Sequence, residues 1–109
     1  MKQYTDAIQT MRLKALGFPA PKGVSKLSLD WDMDTVPTFD YSIGELIEML
    51  PKSIKVNECF FTLAISAGSD NWLVEYNDIA FGSQAGVCKS ELIDALFTEI
   101  EILKEEGKI

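Results

Sequence analysis

The feature that most constrains the fold is an apolar stripe with helical spacing near the C-terminal end of the sequence. Its members recur three and four residues apart, which is the spacing of one face of an α-helix. Ser90 is placed to cap the start of this helix, and Gly107 is placed to end it in a left-handed conformation. The stripe consists of Leu92, Leu96, Ile100 and Leu103, with Ile93 and Phe97 beside it. We therefore predict one long helix over residues 90–107 that buries this face against another element.

A first helix is predicted over residues 4–16. Gly17 supplies its C-terminal stop, and Phe18 is placed to fold back on Leu13, the apolar contact that accompanies such stops. The predicted buried stripe consists of Tyr4, Ile8, Met11 and Ala15.

A short helix is predicted over residues 42–50. Ser42 and Glu45 have the spacing of a capping box, in which each side chain accepts from the backbone N–H of the other residue. Tyr41 and Leu46 have the spacing of the hydrophobic staple that accompanies such a cap. Pro51 ends the helix.

Residues 26–33 alternate between apolar and polar side chains, which is typical of a strand with one buried face. Leu27, Leu29, Trp31 and Met33 form the predicted buried face, and Ser28, Asp30, Asp32 and Asp34 form the outer face. Aspartates along an outer face deter pairing with other chains, so we place this strand at or near a sheet edge. Residues 36–40 are interpreted as a linker.

Strands are also predicted over residues 56–66 and 72–77, joined as a hairpin by the turn residues 67–71. Residues 79–81 are predicted to start a third antiparallel strand, and residues 82–86 are predicted to form a loop. The sequence thus predicts an α+β fold: an antiparallel sheet of three to four strands with helices packed on one face, in the order α-β-α-β-β-β-α. A length of 109 residues fits one such two-layer domain over residues 1–109.

The net charge of −7 is unevenly distributed along the chain. Residues 1–27 carry five basic side chains and one acidic one, whereas residues 28–109 carry five basic and 16 acidic side chains. An acidic body disfavours direct binding to nucleic acid or to an anionic membrane, and it is compatible with a basic protein partner. No apolar run approaches the roughly 20 residues of a membrane span, and residues 1–6 lack the pattern of a signal peptide, so we expect a cytoplasmic protein. Symmetric dimers are compatible with the sequence, which does not specify them.

The sequence predicts no catalytic, metal or cofactor site. Histidine is absent, which removes His-based nucleophile triads, His general bases and His-containing metal sites. Cys59 and Cys88 cannot complete a four-ligand zinc site, and we interpret both as buried thiols. Residues 30–34 open like a calcium loop, but Thr35 and Tyr41 stand where the required Gly and Glu belong. Residues 82–86 lack the glycine spacing of a nucleotide-binding loop. Because none of these motifs is complete, we expect a protein that is not an enzyme.

Acidic side chains form the candidate interaction surface. On a strand, the first three of them would stand roughly 7 Å apart on one face. A surface of this kind is typical of solvated faces, and in some small proteins it imitates the backbone of nucleic acid. The candidate residues are Asp30, Asp32, Asp34, Asp40, Glu99 and Glu101.

Three stretches together resemble small uncharacterised proteins encoded by prophages and conjugative elements of gut bacteria. They are residues 16–21 after the first helix, residues 42–51, and the closing pair 90–96 and 103–107. The resemblance implies a non-enzymatic accessory or protein-interaction protein of a phage or mobile genetic element. The alternative expectation is an acidic nucleic-acid mimic that inhibits a host DNA-binding protein.

Overall fold

The structure is a computed structural model that describes the backbone of residues 1–109 and all side chains except those of residues 84 and 85. The described chain contains three helices and six strands. In chain order they are α1 (Ala7–Ala15), β1 (Gly23–Leu29), β2 (Thr35–Asp40), α2 (Ile43–Met49), β3 (Ser53–Val56), β4 (Cys59–Ala67), β5 (Trp72–Asp78), β6 (Gly82–Lys89) and α3 (Leu92–Glu105). They form a small single α+β domain, as the sequence predicts.

The main sheet is antiparallel and has the strand order β3-β4-β5-β6. Directly paired residues share a face, and the pairs Ile54–Phe61, Ile65–Val74 and Val74–Val87 are therefore on the same side of the sheet. Ile54, Phe61, Val74 and Val87 are buried, so this side forms the inner face.

Helix α3 packs against this inner face and contacts β5, β6 and α2. The whole predicted stripe of α3 is buried, including Ile93 and Phe97 beside it. Gly107 has a φ of 72°, and the N–H groups of Gly107 and Lys108 donate to the carbonyls of Lys104 and Leu103. The predicted stop is therefore confirmed. The N-cap is Glu91 rather than Ser90, and its side chain makes no capping hydrogen bond.

Helix α2 confirms the predicted capping box. The Glu45 N–H donates to Ser42 Oγ at 3.2 Å, and the Ser42 N–H donates to Glu45 Oε1 at 3.1 Å. Tyr41 and Leu46, the predicted staple, are both buried in the main core.

The N-cap of α1 is Asp6, whose side chain forms a capping box with Gln9. Its stop at Gly17 is confirmed, because the Phe18 N–H donates to the Leu13 carbonyl at 3.3 Å. The predicted buried stripe is wrong: Ile8 and Met11 are each 66% exposed, whereas Leu13 is completely buried. A helix of nine residues carries apolar side chains on two faces, and the face of Leu13 is the one buried in the core.

Four strand predictions need correction. Residues 26–33 do not form an edge strand of the main sheet, because β1 ends at Leu29 and pairs only with β2 in a separate two-stranded sheet. Residues 36–40 are part of β2, not a linker. Residues 79–81 form a turn, and residues 82–89 are strand β6 rather than a loop. Strand β3 was not predicted, because its four residues are too few for a clear alternation.

The molecule is elongated, with principal extents of 60 × 33 × 17 Å. Its radius of gyration of 16.0 Å exceeds the value of about 13 Å expected for a compact chain of this length. Among the described residues, no helix has the length and apolar character that crossing a membrane requires.

The two faces of α1 can be distinguished by alanine substitution. We expect Leu13→Ala to lower the free energy of unfolding by about 2–5 kcal/mol, because it leaves a cavity in the core. Met11→Ala, the matched control on the exposed face, should change it by less than about 0.5 kcal/mol. Urea unfolding followed by circular dichroism measures both, and equal effects would contradict the burial of Leu13 and the exposure of Met11.

Candidate functional site

The candidate site is an arm, residues 23–40, formed by β1, the turn 30–34 and β2. Its cross-strand pairs Val24–Phe39, Leu27–Pro37 and Leu29–Thr35 lie on one face. A bulge between Val24 and Lys26 inserts Ser25, which keeps Val24 on the same face as Leu27 and Leu29. We call this surface the apolar arm face; its members are Val24, Leu27, Leu29, Pro37 and Phe39.

The apolar arm face is uncovered. Leu27 is 64% exposed and Leu29 is 62% exposed. Val24 and Phe39 are 43% and 46% exposed. The opposite face carries Lys26, Ser28, Val36 and Thr38 and is mostly polar. The predicted alternation of β1 is thus real, but its apolar side faces solvent instead of the core.

The turn 30–34 carries two exposed apolar side chains at the end of the arm. Asp30 Oδ1 accepts hydrogen bonds from the N–H groups of Asp32 and Asp34, both at 2.9 Å, and this closes the turn. Trp31 is fully exposed and Met33 is 71% exposed. Met33 has a φ of 63°, a conformation that Gly or Asn adopts more readily.

Asp30, Asp32 and Asp34 converge at this turn. Each offers a carboxylate oxygen within 4.8 Å of the others, whereas a strand would have kept the groups roughly 7 Å apart. The expected spacing is wrong because the chain reverses direction at residues 30–34. All three side chains are exposed, and we assign no metal to them.

A carboxylate of α2 holds the base of the arm. Glu45 accepts from the backbone N–H groups of Lys22 and Gly23, both at 3.0 Å, in addition to that of Ser42. Burial opposes ionisation of this group, but these hydrogen bonds hold the pKa of Glu45 below its ordinary value. A Cβ at position 23 would lie 2.8 Å from the Tyr4 ring and 2.9 Å from the Asp40 carbonyl oxygen, so the close approach requires glycine.

A second set of hydrogen bonds ties the arm to α1. Asp40, at the end of β2, is buried and accepts from the hydroxyls of Thr10 and Ser25, the latter at 2.6 Å. The single hydroxyl proton of Thr10 is donated to Asp40, so in the 2.6 Å contact between the two threonine hydroxyls Thr5 is the donor. The Thr5 oxygen in turn accepts from the Tyr41 N–H at 3.0 Å. The arm is therefore held by hydrogen bonds at its base, and most of its residues beyond the base are exposed.

The acidic candidate residues do not form one surface. Asp30, Asp32 and Asp34 lie at the end of the arm, whereas Asp40 is buried at its base. Glu101 forms an ion pair with Arg12 of α1, with 2.6 Å between Glu101 Oε2 and Arg12 Nη2. Glu99 is completely buried in the core, and its expected exposure is wrong.

The buried Glu99 carboxylate has no hydrogen-bond partner among the described residues. Burial, together with the charge of Glu106, raises the pKa of Glu99 to about 7, although Lys108 acts in the opposite direction. Burial and the charge of Glu99 in turn raise the pKa of Tyr76, whose hydroxyl donates to the Pro51 carbonyl at 2.8 Å. Glu99 lies on the apolar face of α3, so helical spacing could have identified it as a buried charge.

Other reactive or concave features carry no chemistry that we can assign. Cys59 is half-buried and Cys88 is exposed, so the expectation of two buried thiols is wrong for Cys88, which lies on the outer side of β6 opposite Leu73. An open depression of about 360 Å³ beside the arm base is lined by Phe18, Pro19, Ala20, Lys22, Tyr41, Glu45, Glu48 and Met49.

The anchoring role of Glu45 can be measured directly. We expect Glu45→Ala to lower the free energy of unfolding by about 2 kcal/mol, because three backbone N–H groups lose their acceptor. Since the folded pKa lies below the ordinary one, the part of this stabilisation that depends on the carboxylate charge is fully present above a pH of about 4.3 and is lost as the pH falls through the folded pKa. Glu48→Ala, an exposed substitution one turn apart on the same helix, is the control in urea unfolding at several pH values.

The raised pKa of Glu99 predicts a dependence of stability on pH. Between the unfolded pKa near 4.3 and the folded pKa of about 7, the folded state binds more protons, so stability falls as the pH rises. We expect the wild type to lose about 3 kcal/mol between pH 4 and pH 8 through this group, and Glu99→Gln to lack that loss. Glu105→Gln, on the exposed side of α3, should retain it, and identical pH profiles for all three proteins would refute the assignment.

Comparisons with known proteins add no family to these observations. No protein-family model matches the chain, and neither a curated protein nor a solved structure matches it. Function is therefore inferred from the geometry and chemistry of the arm.

Proposed function

We propose that this protein is a non-enzymatic accessory protein of a phage or mobile genetic element that binds a protein partner through the arm. The observation that carries the proposal is the uncovered apolar arm face. Exposed apolar side chains scattered singly are ordinary, but contiguous patches on soluble domains mark interaction sites. Here Leu27, Leu29 and Phe39 are contiguous, and the register of β1 and β2 aligns them.

The end of the arm supports the same proposal. Trp31 and Met33 place large apolar side chains in solvent, and Trp is among the residues most enriched in binding hot spots. A left-handed conformation costs a residue such as Met33 roughly 1–2 kcal/mol relative to a right-handed one. A strained residue of this kind supports a role for its side chain that the isolated fold does not supply.

The anchored base makes the arm suitable for recognition. Glu45 and Asp40 fix where β1 and β2 leave the domain, so part of the orientational cost of binding is met before the partner arrives. The exposed carboxylates of Asp30, Asp32 and Asp34 favour a protein partner over nucleic acid or an anionic membrane.

The alternative, an acidic nucleic-acid mimic, is supported only by the exposed carboxylates of Asp30, Asp32 and Asp34 at the end of the arm. Asp40 and Glu99 are buried and Glu101 is paired, so three of the six candidate carboxylates do not extend an exposed row of charges. Such a mimic presents many exposed negative charges, and we therefore prefer the apolar arm face as the binding surface.

Affinity capture tests the proposal. Tagged full-length protein is incubated with host-cell lysate, eluted across a salt gradient and compared with the variant Leu27→Ser/Leu29→Ser by mass spectrometry. Because apolar contacts are not screened by salt, we expect a partner that is retained at high salt by the wild type and lost by the variant.

The control is Ile8→Ser, which removes an apolar side chain of similar exposure (66%) outside the arm and should capture the same partner. Equal capture by all three proteins would refute binding through the arm. Release of a DNA-binding protein at moderate salt, unaffected by Leu27→Ser/Leu29→Ser, would favour the mimic.

A further inference from the structure

We infer that the occupant of the apolar arm face is the arm of a second copy of this chain, packed face to face and antiparallel about a two-fold axis. This inference rests on the proposed function and names the partner. A self-complementary surface is what a two-fold dimer requires, and cyclic dimers are the commonest symmetric assemblies.

The exposed area of the arm is sufficient for such a contact. The apolar arm face together with Trp31 and Met33 offers roughly 600 Å² of apolar surface, because an exposed Trp contributes up to ~250 Å² and partly exposed aliphatic side chains less than ~100 Å² each. A contact that included the apolar arm face, Trp31 and Met33 of both copies would bury up to about 1,200 Å², the lower end of the range for specific interfaces.

A second copy would also cover the exposed apolar face of the arm. A two-stranded hairpin with an uncovered apolar face is marginally stable in water. Two arms stacked at the ordinary sheet separation of about 10 Å would form a small two-layer core from Leu27, Leu29 and Phe39 of each copy.

Charge selects the antiparallel arrangement. Parallel stacking would bring Asp30, Asp32 and Asp34 of the two copies together, which like-charge repulsion opposes. Antiparallel stacking separates the two ends by roughly 20 Å, the length of β1, which exceeds the screening length of about 8–10 Å. It also places each acidic end toward the base of the other copy's arm, where Lys22 has no ion-pair partner within 4 Å among the described residues.

Sedimentation velocity over a range of concentrations of the full chain tests the dimer. We expect a monomer–dimer equilibrium for the wild type with a dissociation constant of about 1–100 µM. Leu27→Ser/Leu29→Ser should weaken association at least tenfold while its circular dichroism spectrum stays that of the wild type. Ile8→Ser should dimerise as the wild type does, and a dimer that Leu27→Ser/Leu29→Ser leaves intact would overturn the inference.

The orientation is tested by reversing the charge at the end of the arm with Asp32→Lys/Asp34→Lys. Antiparallel packing predicts that this variant associates more weakly with the wild type than the wild type does with itself. Parallel packing predicts the opposite preference, and a mixture that forms mainly mixed dimers would therefore overturn the antiparallel arrangement.

The two proposals fail in different ways. A wild type that stays monomeric at all concentrations, yet captures a different protein through Leu27 and Leu29, would overturn the second copy as occupant and leave arm-mediated binding intact. A monomer that captures nothing through the arm would overturn both.

Discussion

The burial of the apolar face of α3 against the inner face of the main sheet is the interaction on which the rest of the structure depends. Leu96, Ile100 and Leu103 are completely buried there, and at about 25 cal/mol per Å² of apolar surface this burial stabilises the domain. The same burial encloses Glu99 and raises its pKa toward neutrality. A stable core and a pH-sensitive carboxylate therefore have the same physical origin.

The arm depends on the domain through polar rather than apolar contacts. Glu45 and Asp40 accept hydrogen bonds from β1, α1 and the segment between them, whereas most residues of β1 and β2 are exposed. Hydrogen bonds are directional, so a few of them at the base can set the orientation of the arm while leaving its apolar face free. The same hairpin can therefore combine an exposed apolar face with a hydrogen-bonded base.

Predictions from the sequence were correct where the residues that carry the pattern lie within one helix or at its ends. The capping box of Ser42 and Glu45, the stops at Gly17 and Gly107, and the stripe of α3 involve residues at most six positions apart or one helix face. Predictions failed where the answer depended on a distant element. The alternation around Leu27 indicated a strand correctly but could not reveal that β2, rather than the main sheet, would be its only neighbour.

By itself, the sequence determined the α+β class, the capping box of α2, the helix stops at Gly17 and Gly107, and the alternation of β1, because these follow from propensity and periodicity along the chain. Only the tertiary structure decided which apolar faces are covered. It buried Leu13 and left Met11 in solvent, placed Glu99 in the core, and gathered Asp30, Asp32 and Asp34 at one turn. Burial is a relation between elements distant in sequence, and periodicity cannot distinguish an apolar face that meets the core from one that stays in solvent.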